Sequence, residues 1–337
     1  MRMELILWST VFVASLFLVV KGADWFLDSA EKIGLRIGLS SFVVGVVIVG
    51  LGTSLPELVS AFAAIIQGAN EIVAANVVGS NIANILLIVG ISAMVGGKLA
   101  VSKNLVDLDI PLLTLATAFS VLTMIDGAVT PIESGFLLLS FIVFLAYSIR
   151  NGGISENGDV KQLFSFRRRH GGVEIMNFGD DPKTEATDKL TVRDFVWLAV
   201  GLLALVLGGR YLVQSVLSIS SILAIGVGAI SLVAVAVGTS LPELAVSIKA
   251  ARQGKHEVAL GNIFGSNIFN LLLVVGFPGL FATLTVDSAT LALGIPIMAV
   301  ATVFFVISGM SKRIHSYEGA FYVLVYAFFI GKLFGLF

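Results

Sequence analysis

The 337-residue chain contains no cysteine, and only 13% of its residues are charged. Without cysteine it can form no disulfide, no thiolate metal site and no cysteine nucleophile. So low a charge content is unlike that of a soluble domain, in which about a quarter of residues are charged. Hydrophobic residues make up 57% of the sequence, and the mean hydropathy is +1.00. This composition predicts a membrane protein with several spans, whose partner is the lipid bilayer and not a nucleic acid.

Ten apolar segments are candidates for helices that cross a bilayer, for which roughly 20 residues are needed. The first begins close to Met1 and runs on into Lys21 without a clear small-residue cleavage site, so we interpret it as a span and not as a signal peptide. The predicted fold class is an all-α membrane protein with ten transmembrane helices. The predicted spans are residues 4–24, 40–66, 72–96, 106–124, 131–149, 194–213, 226–250, 257–281, 288–308 and 317–335.

One polar stretch, residues 151–193, separates a first half, residues 1–150, from a second half, residues 194–337. It contains glycine and charges of both signs, and its composition predicts a solvated linker. If the amino terminus lies outside the cell, the linker and most lysine and arginine residues of the loops face inward. The positive-inside rule therefore predicts a cell-membrane protein with both termini outside and a cytoplasmic linker.

The most distinctive motif is Gly-Thr-Ser-Leu-Pro-Glu-Leu, which occupies residues 52–58 and recurs unchanged at residues 238–244. Each copy lies within a long apolar segment. Its glutamate, Glu57 or Glu243, is therefore expected at membrane depth, where a carboxylate is costly and marks a functional site. The proline before each glutamate interrupts the helix and frees backbone carbonyl groups. We therefore expect the second and seventh helices to be broken.

The repeat extends well beyond this motif. Gly-Ser-Asn-Ile at residues 79–82 recurs at residues 265–268 with the same offset, and Asn84 matches Asn270. Each half contains five predicted spans, which is an odd number, so the second half should insert upside down relative to the first. Inverted repeats with interrupted helices are typical of secondary transporters, whose substrate site lies near the midplane between the repeats.

The polar groups near the two glutamates offer only oxygen as a ligand, which suits hard cations such as Ca²⁺. Two carboxylates balance one Ca²⁺ or two Na⁺, and without a cation they would repel each other, which favours exchange over one-way transport. For Asn81 and Asn267, which lie on a different helical face, we expect hydrogen bonds between helices. The other candidate ligands are the side chains of Thr53, Ser54, Ser80, Asn84, Thr239, Ser240, Ser266 and Asn270, and the carbonyl groups of Gly50 and Ala236.

Both copies of the seven-residue motif, each followed by Gly-Ser-Asn-Ile-x-Asn, resemble the two alpha repeats of the cation/calcium exchanger superfamily, and most closely its prokaryotic sodium/calcium exchangers. The resemblance covers nearly all of the chain except the linker. It implies inverted five-helix repeats, alternating access and four cation sites. In that arrangement Glu57 and Glu243 would be the shared central ligands, Asn84 and Asn270 would line the central site, and the hydroxyl and carbonyl groups named above would complete it.

The resemblance implies an antiporter that carries Na⁺ inward and Ca²⁺ outward, with no cofactor besides the transported ions. An H⁺/Ca²⁺ antiporter that uses the same two carboxylates remains an open alternative. Potassium-dependent members carry aspartate at the position of Asn270, so the asparagine argues against K⁺ cotransport. A channel would need a continuous pore, and repeats with broken helices argue against one.

An intramembrane hydrolase would need a histidine or lysine beside Ser54 and Glu57. No histidine or lysine is predicted at that depth, so we expect no enzyme. The sequence predicts no particular oligomeric state.

Overall fold

The computed structural model describes residues 2–36, 54–101, 110–151, 166–169, 172–175, 191–254 and 256–337. Most of these residues are helical. The first half contains α1 (Arg2–Arg36), α2 (Leu55–Ile66), α3 (Glu71–Ile82), a π-helical segment (Ala83–Val89), α4 (Gly90–Gly96), β1 (Lys98–Ala100), α5 (Ile110–Met124), β2 (Ala128–Val129) and α6 (Pro131–Asn151). Between the halves lies a hairpin of β3 (Phe166–Arg169) and β4 (Gly172–Ile175).

The second half repeats much of this order. It contains α7 (Val192–Leu223), α8 (Val227–Ile230), a π-helical segment (Ser231–Val235), α9 (Ala236–Thr239), α10 (Leu241–Arg252), α11 (His256–Phe269), a π-helical segment (Asn270–Val274), α12 (Gly276–Gly279), β5 (Leu284–Thr285), a π-helical segment (Thr290–Gly294), α13 (Ile295–Met310), β6 (Arg313–His315) and α14 (Ser316–Leu333).

The helices support an all-α membrane fold. Among the described residues, five continuous helical stretches are long and apolar enough to cross a membrane, and one bent pair makes a sixth. The bend lies between Thr239 and Leu241 and measures 48°. The break predicted for the seventh helix is therefore present, whereas most of the first half of the second span lies outside the described residues.

The two longest helices extend beyond the apolar segments from which they were predicted. α1 has 35 residues and α7 has 32, although the sequence predicted spans of residues 4–24 and 194–213. These two helices pack against each other along their length. An ion pair also joins α1 to α7, with Nζ of Lys32 3.8 Å from Oδ1 of Asp194. Packing against a neighbouring helix stabilises helical turns that hydropathy alone does not identify.

Two short antiparallel ladders connect the halves. β1 pairs with β6, with Leu99 opposite Ile314, and β2 pairs with β5, with Val129 opposite Leu284. The offset of the sequence repeat places β1 on β5 and β2 on β6, so each ladder corresponds to the other. Between these ladders, α3 with its π-helical segment and α11 with its own are almost entirely buried. Both carry the Gly-Ser-Asn motif, so the core of the protein contains a polar centre.

Candidate ion-binding site

Both motif glutamates lie in the first turn of a 12-residue helix. Glu57 is the third residue of α2, and Glu243 is the third residue of α10. Proline is the second residue of each helix, where the lack of an amide hydrogen removes no intrahelical bond. The free amides and the dipole at a helix N terminus favour negative charge. The local sequence therefore places each carboxylate where the backbone stabilises it.

The two carboxylates are buried, with exposed fractions of 0% for Glu57 and 1% for Glu243. The Ser240 hydroxyl donates to Oε1 of Glu57 at 3.2 Å, and the Ser266 hydroxyl donates to Oε1 of Glu243 at 3.2 Å. Ser240 belongs to the second half and lies three residues before Glu243. Its bond to Glu57 therefore brings the two copies of the motif together in one buried cluster.

Two more predicted hydroxyls meet at the Ala236 carbonyl group. Its oxygen lies 3.5 Å from the Ser80 hydroxyl and 3.4 Å from the Thr239 hydroxyl, and it also accepts the Ser240 amide at 3.1 Å. The sequence predicted that the proline would leave this carbonyl available as a ligand. In the structure it already accepts hydrogen bonds, because the four residues of α9 form a helical turn before the bend.

The asparagines of the Gly-Ser-Asn motifs form a contact between the halves. Asn84 donates through Nδ2 to Oδ1 of Asn267 at 3.2 Å, so the expected interhelical bond of Asn267 is present. Asn81 instead donates to the Val77 carbonyl within its own helix at 2.9 Å. The prediction of an interhelical bond for Asn81 is therefore wrong for its side-chain amide nitrogen, Nδ2. The side-chain amide of an asparagine inside a helix can reach the carbonyl group one turn earlier.

Several buried oxygen atoms have no hydrogen-bond partner among the described residues. Five of them lie in or beside the helices that carry the two motifs: Glu57 (Oε2), Ser54 (Oγ), Asn76 (Oδ1), Asn84 (Oδ1) and Asn270 (Oδ1). Others, such as the hydroxyl oxygens of Ser92, Thr117 and Ser134, lie elsewhere in the protein. Buried polar atoms nearly always have a partner, so a group of exceptions points to a bound ion or water. These five lie in the first Gly-Thr-Ser-Leu-Pro-Glu-Leu motif or in the helical segments that carry the Gly-Ser-Asn motifs. Their oxygen chemistry suits Na⁺ or Ca²⁺.

Two predicted ligands, Gly50 and Thr53, lie outside the described residues. Ser247 also lies near the site, and it was not among the predicted ligands. Its hydroxyl accepts a bond from Nδ2 of Asn262 at 3.2 Å and donates to the Ala259 carbonyl at 3.3 Å. The signal was in the repeat, since Ser247 corresponds to Ala61 in the first half. A mismatch within an otherwise matching pattern marks a difference between the halves.

The ion pairs that the structure describes lie away from this cluster. They join Lys21 to Asp24 and Lys32 to Asp194. In the described ranges, no three histidine, aspartate or glutamate side chains come together as a metal centre. The candidate site thus combines two carboxylates with neutral hydroxyl, amide and carbonyl oxygens. Such a ligand set binds hard cations reversibly more readily than it holds a transition metal.

Comparison with known proteins agrees with this chemistry. The family profile for "Sodium/calcium exchanger protein" matches residues 8–150 and 194–334. Sodium/calcium exchanger MaX1 of Methanosarcina acetivorans is 32% identical, over 96% of this chain and 97% of that protein. Inner membrane protein YrbG of Escherichia coli is 28% identical, over 89% of this chain and 88% of that protein.

A solved structure of the sodium-calcium exchanger NCX_Mj, soaked with Na⁺ and Sr²⁺, is also similar. It superposes with a TM-score of 0.61 at 28% identity, covering 97% of this chain and 98% of the other. The match in sequence spans both halves, and the match in structure spans nearly the whole chain. The chain therefore belongs to the sodium/calcium exchanger family, as a multi-pass membrane protein of the prokaryotic branch of the cation/calcium exchanger superfamily.

Proposed function

We propose that this protein exchanges Na⁺ for Ca²⁺ by alternating access at a site built on Glu57 and Glu243. The observation that carries the proposal is the bond from Ser240 of one half to Glu57 of the other, inside a cluster that water does not reach. A similar protein is named a sodium/calcium exchanger, which makes Na⁺ and Ca²⁺ the proposed cargo of this cluster. The same cluster would be exposed to one side of the membrane at a time.

Electrostatics supports a cargo of this charge. Burying a carboxylate without a compensating cation costs several kcal/mol, and two carboxylates within one buried cluster repel each other as well. One Ca²⁺ or two Na⁺ neutralise them. The site is therefore most stable when it holds one of these loads, which makes a return journey without ions unfavourable. This is the physical basis for exchange.

The proposed ligand set follows the repeat. Glu57 and Glu243 are the charged ligands, and Asn84 and Asn270 face the centre as neutral amide ligands. Further oxygens come from the side chains of Thr53, Ser54, Ser80, Thr239, Ser240 and Ser266, with the carbonyl groups of Gly50 and Ala236. In the observed arrangement Ala236 would have to give up a hydrogen bond before it could bind an ion.

The proposed architecture has ten helices in two inverted repeats, residues 1–150 and 194–337, joined by a cytoplasmic linker at residues 151–193. Both termini lie outside the cell in this proposal. The two ladders correspond to each other under the sequence offset, and so do the π-helical segments Ala83–Val89 and Asn270–Val274, which supports the repeat. The Na⁺ gradient would then drive Ca²⁺ out of the cell.

The direct test is uptake of radioactive Ca²⁺ into proteoliposomes preloaded with Na⁺, with K⁺ or with an acidic buffer. We expect Ca²⁺ uptake only into the vesicles that are loaded with Na⁺. The Glu57→Gln variant should show no uptake under any gradient. Uptake driven by the acidic interior and not by Na⁺ would replace this proposal with H⁺/Ca²⁺ antiport. Uptake without any counter-gradient would indicate a channel.

A further inference from the structure

The two motif helices end in the same way. Gln67 follows α2 and Gln253 follows α10, with backbone angles φ −93°, ψ 4° and φ −86°, ψ 3°. The next residue is a glycine with φ +71° in both cases, Gly68 and Gly254. The two glutamines are also equivalent in the sequence repeat. Any difference in their bonding therefore comes from what packs against them and not from their own backbone.

Their bonding differs. Nε2 of Gln67 donates to the Arg210 carbonyl of α7 at 3.1 Å, and to the Ala63 carbonyl of its own helix at 3.2 Å. Gln253 is exposed, and the structure describes no side-chain bond from it. The residue that corresponds to Arg210 in the repeat is Asp24, on α1. The carbonyl group of Asp24 is thus the acceptor in the repeat that would match Gln253.

Packing of the helices shows the same difference. α7 lies directly on α2, so that a Cβ atom added at Gly209 would come within 3.0 Å of Val59 and 3.2 Å of Ala63. The corresponding surface of α10 is open, and Ala245, the counterpart of Val59, is exposed. A groove of about 540 Å³ follows this face of α10 as far as Gln253. Among the described residues, α1 packs on α7, α2 and α9 instead.

We propose that Gln67 and Gln253 are alternating latches, positioning residues that hold the α1–α7 pair against one motif helix at a time. In the described state Gln67 holds α7 at Arg210, and the groove along α10 is open. In the opposite state Gln253 holds α1 at the Asp24 carbonyl, the groove along α10 is closed, and the face of α2 is open. This inference rests on the proposed alternating-access function.

The reporters for this proposal are single cysteines, which the cysteine-free chain permits without background labelling. Ala245→Cys lies in the open groove, and Val59→Cys lies under α7. Each is reacted with a small uncharged maleimide in detergent micelles, so that neither the lipid nor the side of the membrane limits access. The ratio of the two labelling rates reports how the protein divides between the two states.

Leucine at each glutamine removes the bond and keeps a similar size. Gln67→Leu should lower the ratio of Ala245→Cys to Val59→Cys labelling about fivefold, equivalent to the loss of a hydrogen bond of about 1 kcal/mol. Gln253→Leu should raise the same ratio. The matched control is Asn70→Leu, which removes a side-chain bond to the Thr283 carbonyl of 3.0 Å near the same end of α2 and should leave the ratio unchanged.

Opposite shifts from the two glutamine variants would support the latches, because general destabilisation would not move them in opposite directions. Shifts in the same direction, or no shift in either, would overturn the proposal. Na⁺-driven Ca²⁺ uptake by the two reporter proteins is measured in parallel. Opposite shifts without any such uptake would leave the latches standing and contradict the proposed function.

Discussion

The two copies of the motif are identical in seven residues, yet their hydroxyls make different bonds. In the second copy, Ser240 donates to Glu57, and Ser266 of the following helix donates to Glu243. In the first half, Ser80 donates to a carbonyl group, and the Ser54 hydroxyl has no partner among the described residues. Identical sequence thus gives identical helix starts, while the contacts between helices decide which oxygens remain available to an ion.

The largest effect should come from the feature that the two halves share most closely. Glu57→Gln and Glu243→Gln each remove one of the two carboxylate charges that would balance the cation in the proposed site, and both positions are equally buried. Breaking a buried charge pair costs about 3–5 kcal/mol, so we expect at least a 100-fold loss of Na⁺-driven Ca²⁺ uptake from either change. Thermal unfolding of the ion-free proteins is the control for folding. Substantial uptake by one variant would mean that the halves contribute unequally.

A second equivalent pair lies where α1 and α7 cross. A Cβ atom at Gly22 would come within 2.9 Å of the Leu205 amide nitrogen, and one at Gly208 within 2.9 Å of the Val19 amide nitrogen. Gly22→Val and Gly208→Val should therefore each lower the free energy of unfolding by about 1–3 kcal/mol, because backbone cannot move aside as a side chain can. Chemical denaturation in detergent measures this. A large effect at only one glycine would show that the crossing is not symmetric.

Much of this comparison was predictable from the sequence. The repeat, the broken seventh helix and the burial of Glu57 and Glu243 follow from apolar segments that contain proline and glutamate. The π-helical segments Ala83–Val89 and Asn270–Val274 were not predicted, because the spacing of four residues that was used to assign helical faces holds only for an α-helix. A wider helical turn there changes the direction of Asn84 and Asn270. Such segments are frequent at functional sites, but hydropathy carries no signal for them.

The contacts between halves were less accessible to sequence reasoning. Spacing along one helix identifies which residues share a face, but not which carbonyl groups another helix covers. The bonds from Ser80 to Ala236 and from Asn84 to Asn267 each join residues more than 150 positions apart. The lengths of α1 and α7 also depend on their mutual packing. These features require the tertiary arrangement.

The mismatch between Ser247 and Ala61 gives a smaller and asymmetric effect. Ser247 is buried and accepts a bond from Asn262, whereas the side-chain amide of Asn76, the counterpart of Asn262, has no partner among the described residues. Ser247→Ala should lower the free energy of unfolding by about 1 kcal/mol. Ala61→Ser should not lower it, because the new hydroxyl offers Asn76 a partner. Equal losses from both changes in thermal unfolding would contradict this view of the asymmetry.

The smallest expected effect concerns Asn270, which is buried and whose side-chain amide has no partner among the described residues. Asn270→Asp would add a third carboxylate to the cluster, and like-charge repulsion favours an extra proton or cation there. Na⁺-driven Ca²⁺ uptake should then vary about threefold more than in the parent between about pH 6 and about pH 8, or on addition of K⁺. The parent protein assayed side by side is the control. Identical profiles would remove Asn270, and with it Asn84, from the proposed ligands.

The central claim is that Glu57 and Glu243 belong to one ion cluster and not to two separate sites. Calorimetric titration of Ca²⁺ into the parent, Glu57→Gln and Glu243→Gln proteins in detergent tests it most directly, with Na⁺ added as competitor. We predict that the parent binds Ca²⁺, that Na⁺ displaces this Ca²⁺, and that each variant loses all measurable Ca²⁺ binding. Variants that each retain half of the parent's binding stoichiometry would show two independent sites and contradict the account.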